Sequence, residues 1–203
     1  GDSSIVRNAH RVLKGELPVS SEKEEAKKDF FILNRQQPEA VLETLVEVVT
    51  QRLPSRGFDA MEDVQVLTPM HKGALGSESL NQRLQAALNP KGPTLERGRR
   101  LYRRGDRVLQ QRNDYDKDVF NGDVGRIIDI EDGAITVRFG GKRVGYVGDE
   151  VDDLVLAYAI SIHKSQGSEY PAVVSVLHTS HFVMLRRNLL YTAMTRAKSF
   201  CVI

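Results

Sequence analysis

One stretch of the chain combines small, polar and charged residues in a pattern that suits phosphate binding. It runs from Ala159 to Val174 and reads AISIHKSQGSEYPAVV. Glycine lets a backbone approach a ligand, backbone amides and hydroxyl groups donate to phosphate oxygens, and a carboxylate accepts from a ribose hydroxyl group. The candidate ligand-facing residues are Ser161, His163, Lys164, Ser165, Gln166, Gly167, Ser168 and Glu169. Many polar loops only connect two strands, so the spacing alone also fits a plain connection.

A second stretch places an arginine at the end of a helical pattern. Residues 188–198 read NLLYTAMTRAK, and apolar positions there repeat at helical spacing. The repeat predicts a helix over residues 185–196 that packs Leu189, Leu190 and Ala193 inward. Thr192, Thr195 and Arg196 then lie toward one end. A lone helical arginine is usually a surface residue, so Arg196 gains meaning only together with the first stretch.

Strand and helix patterns alternate around both stretches, which favours a parallel α/β sheet. Asp2 or Ser3 can cap the first helix, Pro38 can open the second, and Gly57 can end it. The predicted helices cover residues up to Lys14, from Pro38 to Leu53, Leu75 to Leu88 and Leu185 to Arg196. The predicted strands are Phe30 to Leu33, Val64 to Leu67, Ala172 to Leu177 and Phe200 to Ile203. The charged residues from Ser20 to Lys28 are expected to form a solvated loop.

The pattern changes between Leu101 and Asp152, where short β-rich runs are separated by glycines. The runs are Arg107 to Gln110, Gly125 to Ile130, Ala134 to Phe139 and Arg143 to Val147. Strands of this length and spacing indicate a small antiparallel barrel. We therefore expect a barrel over residues 101–152, inserted into an α/β domain made of residues 1–100 and 153–203.

Composition limits the class of protein. The 203 residues carry 29 Lys+Arg against 27 Asp+Glu, a formal charge of +2, which leaves room for local basic patches but not for a general nucleic-acid coat. No stretch is apolar enough for a membrane span. The single Cys201 cannot form an internal disulfide, which favours a reducing, cytoplasmic setting and a buried thiol. The first residues and the apolar end suggest a piece of a longer protein.

Four ordered segments together resemble the RecD-like branch of superfamily-one DNA helicases, of which the exodeoxyribonuclease V alpha subunit is a member. The first two are SIHKSQGSEYPAVV and NLLYTAMTRAK, which are similar to helicase motifs V and VI. The other two are VQVLTPMHKGALGSESLNQRLQ, residues 64–85, and RRGDRVLQQRNDYDKDVFNGDVGRI, residues 103–127. The resemblance implies the second, C-terminal RecA-like motor domain with an inserted Src-homology-3-like barrel.

The resemblance also implies roles for single residues. Arg196 matches the motif VI arginine that reaches the γ-phosphate of ATP between two motor domains, and Gly167 and Glu169 match motif V positions near the γ-phosphate and ribose. Gln166 and Ser168 are further nucleotide-side candidates. The DNA-side candidates are Thr68, Pro69, Asn113, Asn121, Ser161, His163 and Lys164. One segment would then contact both nucleotide and single-stranded DNA.

No G-x-x-x-x-G-K-[ST] phosphate loop is present, and the nearest string, Gly140-Gly141-Lys142, is followed by Arg143. Asp152 and Asp153 are expected at a solvated strand edge rather than at a magnesium site. The resemblance implies that ATP with Mg²⁺ is bound mainly by an N-terminal RecA-like domain of the same protein, so this chain alone should neither hydrolyse ATP nor unwind DNA. Further implied partners are single-stranded DNA and other exonuclease V subunits.

Several other sequence features have a simple structural interpretation beside a functional one. The basic run of Arg97, Arg99, Arg100, Arg103, Arg104 and Arg107 fits either a DNA path or a solvated surface. Tyr115 and Phe120 fit base stacking, although barrel-core packing is expected for Phe120. His178 and His181 lack a partner at ligand spacing, so no metal site is expected. Met184 and Met194 are expected in the core.

Two classes of function remain open on the sequence. The first is a 5′-to-3′ DNA helicase motor acting in DNA recombination and repair. It could be a stand-alone enzyme, an exonuclease V subunit or the helicase part of a conjugative relaxase. The second is a non-catalytic nucleic-acid-binding module, in which the barrel binds a strand, Arg196 has no effect and nucleotide is not coupled to binding.

Overall fold

A computed structural model describes residues 3–22, 27–178 and 187–203 of the chain. The chain divides into two compact units. Unit 1 comprises Gly1–Arg83 and Ala159–Ile203, and unit 2 comprises Leu84–Tyr158. The sequence predicted an inserted barrel over residues 101–152, and unit 2 contains these residues but extends further at both ends, from Leu84 to Tyr158.

Unit 1 is a five-stranded parallel sheet with helices, as the alternating pattern predicted. Its strand order is β1-β12-β11-β2-β10, and every neighbouring pair is parallel. The strands are β1 (Phe30–Phe31), β2 (Val64–Thr68), β10 (Ala159–Ser161), β11 (Tyr170–Ser175) and β12 (Ala197–Val202). The helices are α1 (Ser4–Leu13), α2 (Pro38–Glu47), α3 (Ser77–Leu88), which crosses the unit boundary, and α4 (Arg187–Thr195).

Local chemistry explains where these elements begin and end. The Ser3 hydroxyl accepts from the Ile5 amide and caps α1, and Pro38 occupies the first turn of α2. After α2 the chain continues as a π-helical turn, Val48–Arg52, and a short 3₁₀ turn that ends at Gly57, where φ is +89°. All residues of β2 are buried, as expected for an inner strand of a parallel sheet covered on both faces.

Some predicted boundaries were wrong by a few residues. The strand predicted for residues 30–33 pairs with β12 only at Phe30 and Phe31. The helix predicted from Leu75 begins at Ser77, because the chain before it forms a tight loop after β2. Residues 23–26 of the predicted solvated loop, and Leu185 and Arg186 of the last predicted helix, lie outside the described residues.

Unit 2 contains the predicted antiparallel sheet. Its order is β8-β7-β6-β5-β9, and a separate β3-β4 hairpin precedes it. The strands are β3 (Thr94–Arg97), β4 (Arg100–Arg103), β5 (Arg107–Gln110), β6 (Val124–Glu131), β7 (Ala134–Phe139), β8 (Lys142–Val147) and β9 (Leu154–Leu156). Its core consists of Tyr102, Val108, Val119, Ile127, Ile135, Val137, Val144, Tyr146, Val151 and Leu154.

Two arginines of the basic run between Arg97 and Arg107 bond to groups around Asp152, whose position differs from the expected one. Asp152 lies in a 3₁₀ turn, Gly148–Asp153, rather than at a strand edge. Its carboxylate accepts from Arg97 Nε at 3.1 Å and Nη2 at 2.9 Å. This hydrogen-bonded guanidinium lowers the pKa of the Asp152 carboxyl group. Arg100 donates to the carbonyl groups of Asp152 and Leu154. Arg97 and Arg100 therefore make hydrogen bonds within unit 2.

Two aromatic residues in the loop between β5 and β6 lie at the surface. Tyr115 is 77% exposed and Phe120 is 39% exposed, and their ring centroids are 5.9 Å apart in an edge-on arrangement. The expected core position of Phe120 was therefore wrong. The apolar barrel positions in this region are filled by Val119 and Tyr146 instead.

Gly125 in β6 has no room for a side chain, which gives a test of barrel packing. A Cβ atom there would lie 2.6 Å from Val137 Cγ1 and 2.8 Å from the Arg138 carbonyl oxygen. We expect Gly125→Ala to lower the free energy of unfolding by ~1–3 kcal/mol, because overpacking forces a backbone shift. Gly145→Ala in β8 is the matched control, since its Cβ would meet nothing within 4 Å. Urea unfolding followed by circular dichroism measures both, and equal effects would contradict the prediction.

No helix in the described ranges is both long and apolar enough to cross a membrane.

Candidate nucleotide and nucleic-acid site

The candidate site is built on the connection between β10 and β11. Within the sheet, β10 pairs with one edge of β2 and β11 pairs with its other edge. Because all three strands are parallel, residues 162–169 must lead from the carboxyl end of β10 to the amino end of β11. The first half of this connection therefore lies at the carboxyl edge of the sheet and the second half at the amino edge.

At the carboxyl edge the chain folds back into a short 3₁₀ turn, His163–Ser165. The Ile162 amide donates to the Thr68 carbonyl oxygen at 3.0 Å, which joins the turn to the end of β2. The Ser161 hydroxyl accepts from the Lys164 amide at 3.2 Å. His163 and Lys164 are exposed, and Ser161 is half-buried. Three DNA-side candidates therefore lie within four residues of one another at this edge.

The other two candidates at this edge are buried. Thr68 is fully buried, and its hydroxyl donates to the Leu75 carbonyl oxygen at 2.7 Å. Pro69 is buried as well. Burial leaves no side-chain surface at Thr68 and Pro69 for a DNA phosphate, and the predicted contact of this strand end with single-stranded DNA stays a prediction.

That loop carries a contact that the sequence did not reveal. His71 Nδ1 lies 2.8 Å from Ser77 Oγ, and His71 Nε2 lies 3.2 Å from a Glu78 carboxylate oxygen. Gly76 packs so closely that a Cβ atom there would lie 2.4 Å from the Lys72 carbonyl oxygen. The loop is thus fastened to the start of α3. Residues 70–76 form an irregular loop, to which no hydrophobic period applies, so no sequence signal pointed to these contacts.

At the amino edge, Arg196 contacts the turn that precedes β11. Its Nη1 donates to the Ser168 carbonyl oxygen at 3.0 Å, its Nε to the Thr192 carbonyl oxygen at 3.3 Å, and its Nη2 reaches Thr195 Oγ1 at 3.4 Å. The Arg196 carbonyl oxygen accepts from the Tyr170 amide at 2.8 Å. Arginine has five N–H donors, so these bonds orient the half-buried guanidinium beside the turn without exhausting it.

The turn itself presents polar groups to solvent. Gln166, Gly167, Ser168 and Glu169 are all exposed. Gly167 has φ +82°, a conformation that favours glycine, and a Cβ atom there would meet nothing within 4 Å. Glu169 lies 3.9 Å from Lys198, an exposed pair. The structure thus brings the nucleotide-side candidates and Arg196 together at one edge of unit 1.

Asn113 and Asn121 lie in unit 2, on the loop between β5 and β6. The Asn121 amide donates to the Asn113 side-chain oxygen at 2.9 Å, which closes the loop on itself. Both residues are exposed. This hydrogen bond holds the loop in place. DNA contact by Asn113 and Asn121 stays a prediction.

The other histidines, the methionines and the cysteine singled out in the sequence lie outside the candidate site or outside the described residues. Met194 is fully buried, as predicted, whereas Met184 and His181 lie outside the described residues. His178 Nε2 lies 2.9 Å from the Gln36 carbonyl oxygen. Within the described ranges no three His, Cys, Asp or Glu side chains are grouped to hold a metal ion. Cys201 is buried as predicted, and burial raises the pKa of its thiol to about 12.

Two family models match this chain, one mainly within unit 2 and one mainly within the C-terminal part of unit 1. Residues 80–139 match the SH3 domain of ATP-dependent RecD-like DNA helicases, and residues 156–203 match the UvrD-like helicase C-terminal domain. The chain belongs to the RecD-like helicases. This confirms the resemblance drawn from the four sequence segments, and it confirms the SH3-like identity of the inserted barrel in this RecD-like chain.

Individual relatives agree. The chain is 39% identical over 194 residues to the ATP-dependent RecD2 DNA helicase of Deinococcus radiodurans, a match that covers 96% of this chain and 26% of that protein. It is 33% identical over 135 residues to the RecBCD enzyme subunit RecD of Haemophilus influenzae, covering 66% of this chain and 20% of that subunit. This RecD-like chain therefore spans about a quarter of the length of the first relative.

Solved Pif1 helicases share the fold. A structure of Pif1 helicases at forked double-stranded DNA superimposes with a TM-score of 0.57 at 18% identity, over 100% of this chain and 47% of that one. Bacteroides Pif1 bound to single-stranded DNA gives a TM-score of 0.50 at 17% identity, over 100% and 49%. These likenesses support the helicase fold of the RecD-like chain.

Proposed function

We propose that this chain is the C-terminal motor portion of an ATP-dependent 5′-to-3′ DNA helicase, and that it supplies the arginine finger and single-strand contacts in recombination or repair. The observation that carries the proposal is the Arg196–Ser168 hydrogen bond. It holds the guanidinium against a segment whose other end lies at the opposite edge of the sheet. The direction of movement rests on the RecD-like resemblance alone.

At the amino edge, Arg196 would neutralise negative charge on the phosphoryl group during ATP hydrolysis. A guanidinium in this role contributes a large part of the rate, because the charge it meets develops in the transition state. Gly167 leaves the turn open to a phosphate, and the Glu169 carboxylate can accept from a ribose hydroxyl group. Gln166 and Ser168 add exposed donors. ATP with Mg²⁺ would be held mainly by an N-terminal RecA-like domain of the same protein.

At the carboxyl edge, Ser161, His163 and Lys164 would contact the backbone of single-stranded DNA. The 3₁₀ turn presents the exposed His163 and Lys164 side by side, next to the end of β2. A lysine near a phosphate displaces a counterion, so its contribution should depend on salt. The exposed position of both side chains fits such a contact.

The short connection between the two edges offers a route for coupling. Only residues 162–169 separate β10 from β11, and they carry candidates for both ligands. A shift of the turn at Ser168 when the γ-phosphate is lost would be transmitted to Lys164 through the three residues between them. Binding energy at one ligand can then bias the grip on the other.

DNA-stimulated ATP turnover by the full-length protein tests the proposal. We expect Lys164→Ala to raise the single-stranded DNA concentration that gives half-maximal stimulation, with unchanged maximal turnover. The slope of log affinity against log salt should fall by ~0.7, the value for one phosphate of a single strand. Arg52→Ala, which removes an exposed charge paired with Glu47, is the control. A full-length protein whose ATP turnover ignores DNA would refute the helicase proposal.

The setting of the motor is also a proposal. The match to RecD2 extends over 96% of this chain, more than the match to a RecBCD subunit, which favours a stand-alone helicase over an exonuclease V subunit or a relaxase. A cytoplasmic location fits DNA as the substrate and the buried, unpaired Cys201.

A further inference from the structure

The register of the barrel sheet lines up four arginines. Arg107 in β5 pairs with Arg126 in β6, Arg126 pairs with Arg138 in β7, and Arg138 pairs with Arg143 in β8. Directly paired residues on neighbouring strands project from the same face of a sheet. The four side chains, called the arginine row below, therefore stand next to one another across four strands.

The arginine row lies on the outer face of the sheet. In each strand a residue adjacent to the arginine, namely Val108, Ile127, Val137 or Val144, is buried in the barrel core. Because successive side chains alternate between faces, the arginines project away from that core. Arg138 and Arg143 are exposed, and Arg107 and Arg126 are half-buried. With strands ~4.8 Å apart, the row is about 14 Å long.

Repulsion within the arginine row lowers the stability of the barrel when no ligand is bound. Like charges directly opposite each other destabilise a sheet. Among the described residues, Arg138 and Arg143 have no ion pair and no side-chain hydrogen bond that would relieve the repulsion. The next outward positions on β7 and β8 are Thr136 and Gly145, which carry no charge, whereas Asp129 on β6 lies opposite Thr136 in that same neighbouring row. The unrelieved positive charge is therefore concentrated at the β7–β8 end of the row, at Arg138 and Arg143.

We propose that the arginine row binds the phosphate backbone of DNA, as a second contact in addition to the one at Ser161–Lys164. The inference rests on the proposed helicase function, which supplies DNA as the polyanion. Guanidinium groups match phosphate oxygens in bidentate geometry. About 14 Å is the axial length of roughly four phosphates of one duplex strand. The row lacks the aromatic or apolar anchors that a protein partner would bury, which favours a nucleic acid.

The double variant Arg138→Ala/Arg143→Ala in the full-length protein tests the row. We expect the slope of log affinity for duplex DNA against log salt to fall by ~1.8, at 0.9 per phosphate, with affinity at least tenfold lower near physiological salt. The thermal midpoint should stay the same or rise, because repulsion is removed. Lys91→Ala/Arg52→Ala removes the same charge at two exposed residues outside the row and is the control, and Arg138→Lys/Arg143→Lys should restore most of the affinity.

Three DNA substrates separate the possible sources of the backbone. Loss of affinity for a blunt duplex and a fork, but not for a single strand, assigns the row to duplex DNA. Loss for the fork and the single strand, but not for the blunt duplex, assigns it to a displaced strand. Unchanged affinity and salt slope with all three would overturn the proposal. Turnover at saturating short single-stranded DNA should be unaffected, so failure of the row is distinguishable from failure of the motor proposal.

Discussion

Replacing Arg196 by alanine should lower ATP turnover of the full-length protein by about 10³-fold or more, while affinity for single-stranded DNA changes little. The guanidinium is oriented by hydrogen bonds to Ser168, Thr192 and Thr195, so it is fixed before nucleotide arrives. Pre-oriented charge that meets the transition state has effects of this size. Steady-state ATP hydrolysis at saturating DNA, with DNA affinity measured separately, checks both parts.

Two companion variants make the Arg196 result interpretable. Arg196→Lys keeps the charge but loses the planar fork that bonds Ser168 and Thr195, so we expect it to recover little turnover. Arg52→Ala removes an exposed arginine that pairs with Glu47 and makes no bond to the turn at Ser168, and it should leave turnover unchanged. Turnover of Arg196→Ala within tenfold of the unaltered protein, with a normal thermal midpoint, would exclude the finger role.

Replacing Asp106 by alanine should produce a large loss of stability in unit 2. The carboxylate is fully buried and accepts from Gln85 Nε2 at 2.7 Å, Asn89 Nδ2 at 2.8 Å, the Tyr158 hydroxyl at 2.7 Å and the Arg103 amide at 2.6 Å. Its removal leaves buried donors without an acceptor. We expect the free energy of unfolding to fall by ~3–5 kcal/mol, the range for breaking a buried charged network.

Tyr158 remains a donor to this carboxylate at neutral pH. Burial, and next the charge of Asp106, raises the pKa of the Tyr158 hydroxyl far above its usual range. Asp106→Asn places an amide group among donors and should be destabilising as well, by less than alanine. The exposed Asp116→Ala is the control, with an expected change within about 0.5 kcal/mol. Urea unfolding followed by circular dichroism measures all three, and an Asp106→Ala effect as small as that of Asp116→Ala would contradict the prediction.

The family and the fold class followed from local sequence. Apolar runs separated by helical repeats predicted the parallel sheet of unit 1, and glycines at Gly122, Gly133 and Gly140 marked the turns of the inserted barrel. These signals are local, since burial on one face or both sets the hydrophobic period, and turn geometry selects glycine. The segments around Gly167 and Arg196 carried enough specific residues to identify the RecD-like family.

The tertiary structure decided what the sequence could not. Residues 162–169 connect opposite edges of the sheet because β10 and β11 run parallel to each other on either side of β2, and Thr68 is buried because β2 is an inner strand. Arg107, Arg126, Arg138 and Arg143 are far apart in the chain and form a row only through strand register. Register is set by long-range pairing and by packing of the whole barrel, whereas a sequence pattern reports only the faces of each strand separately.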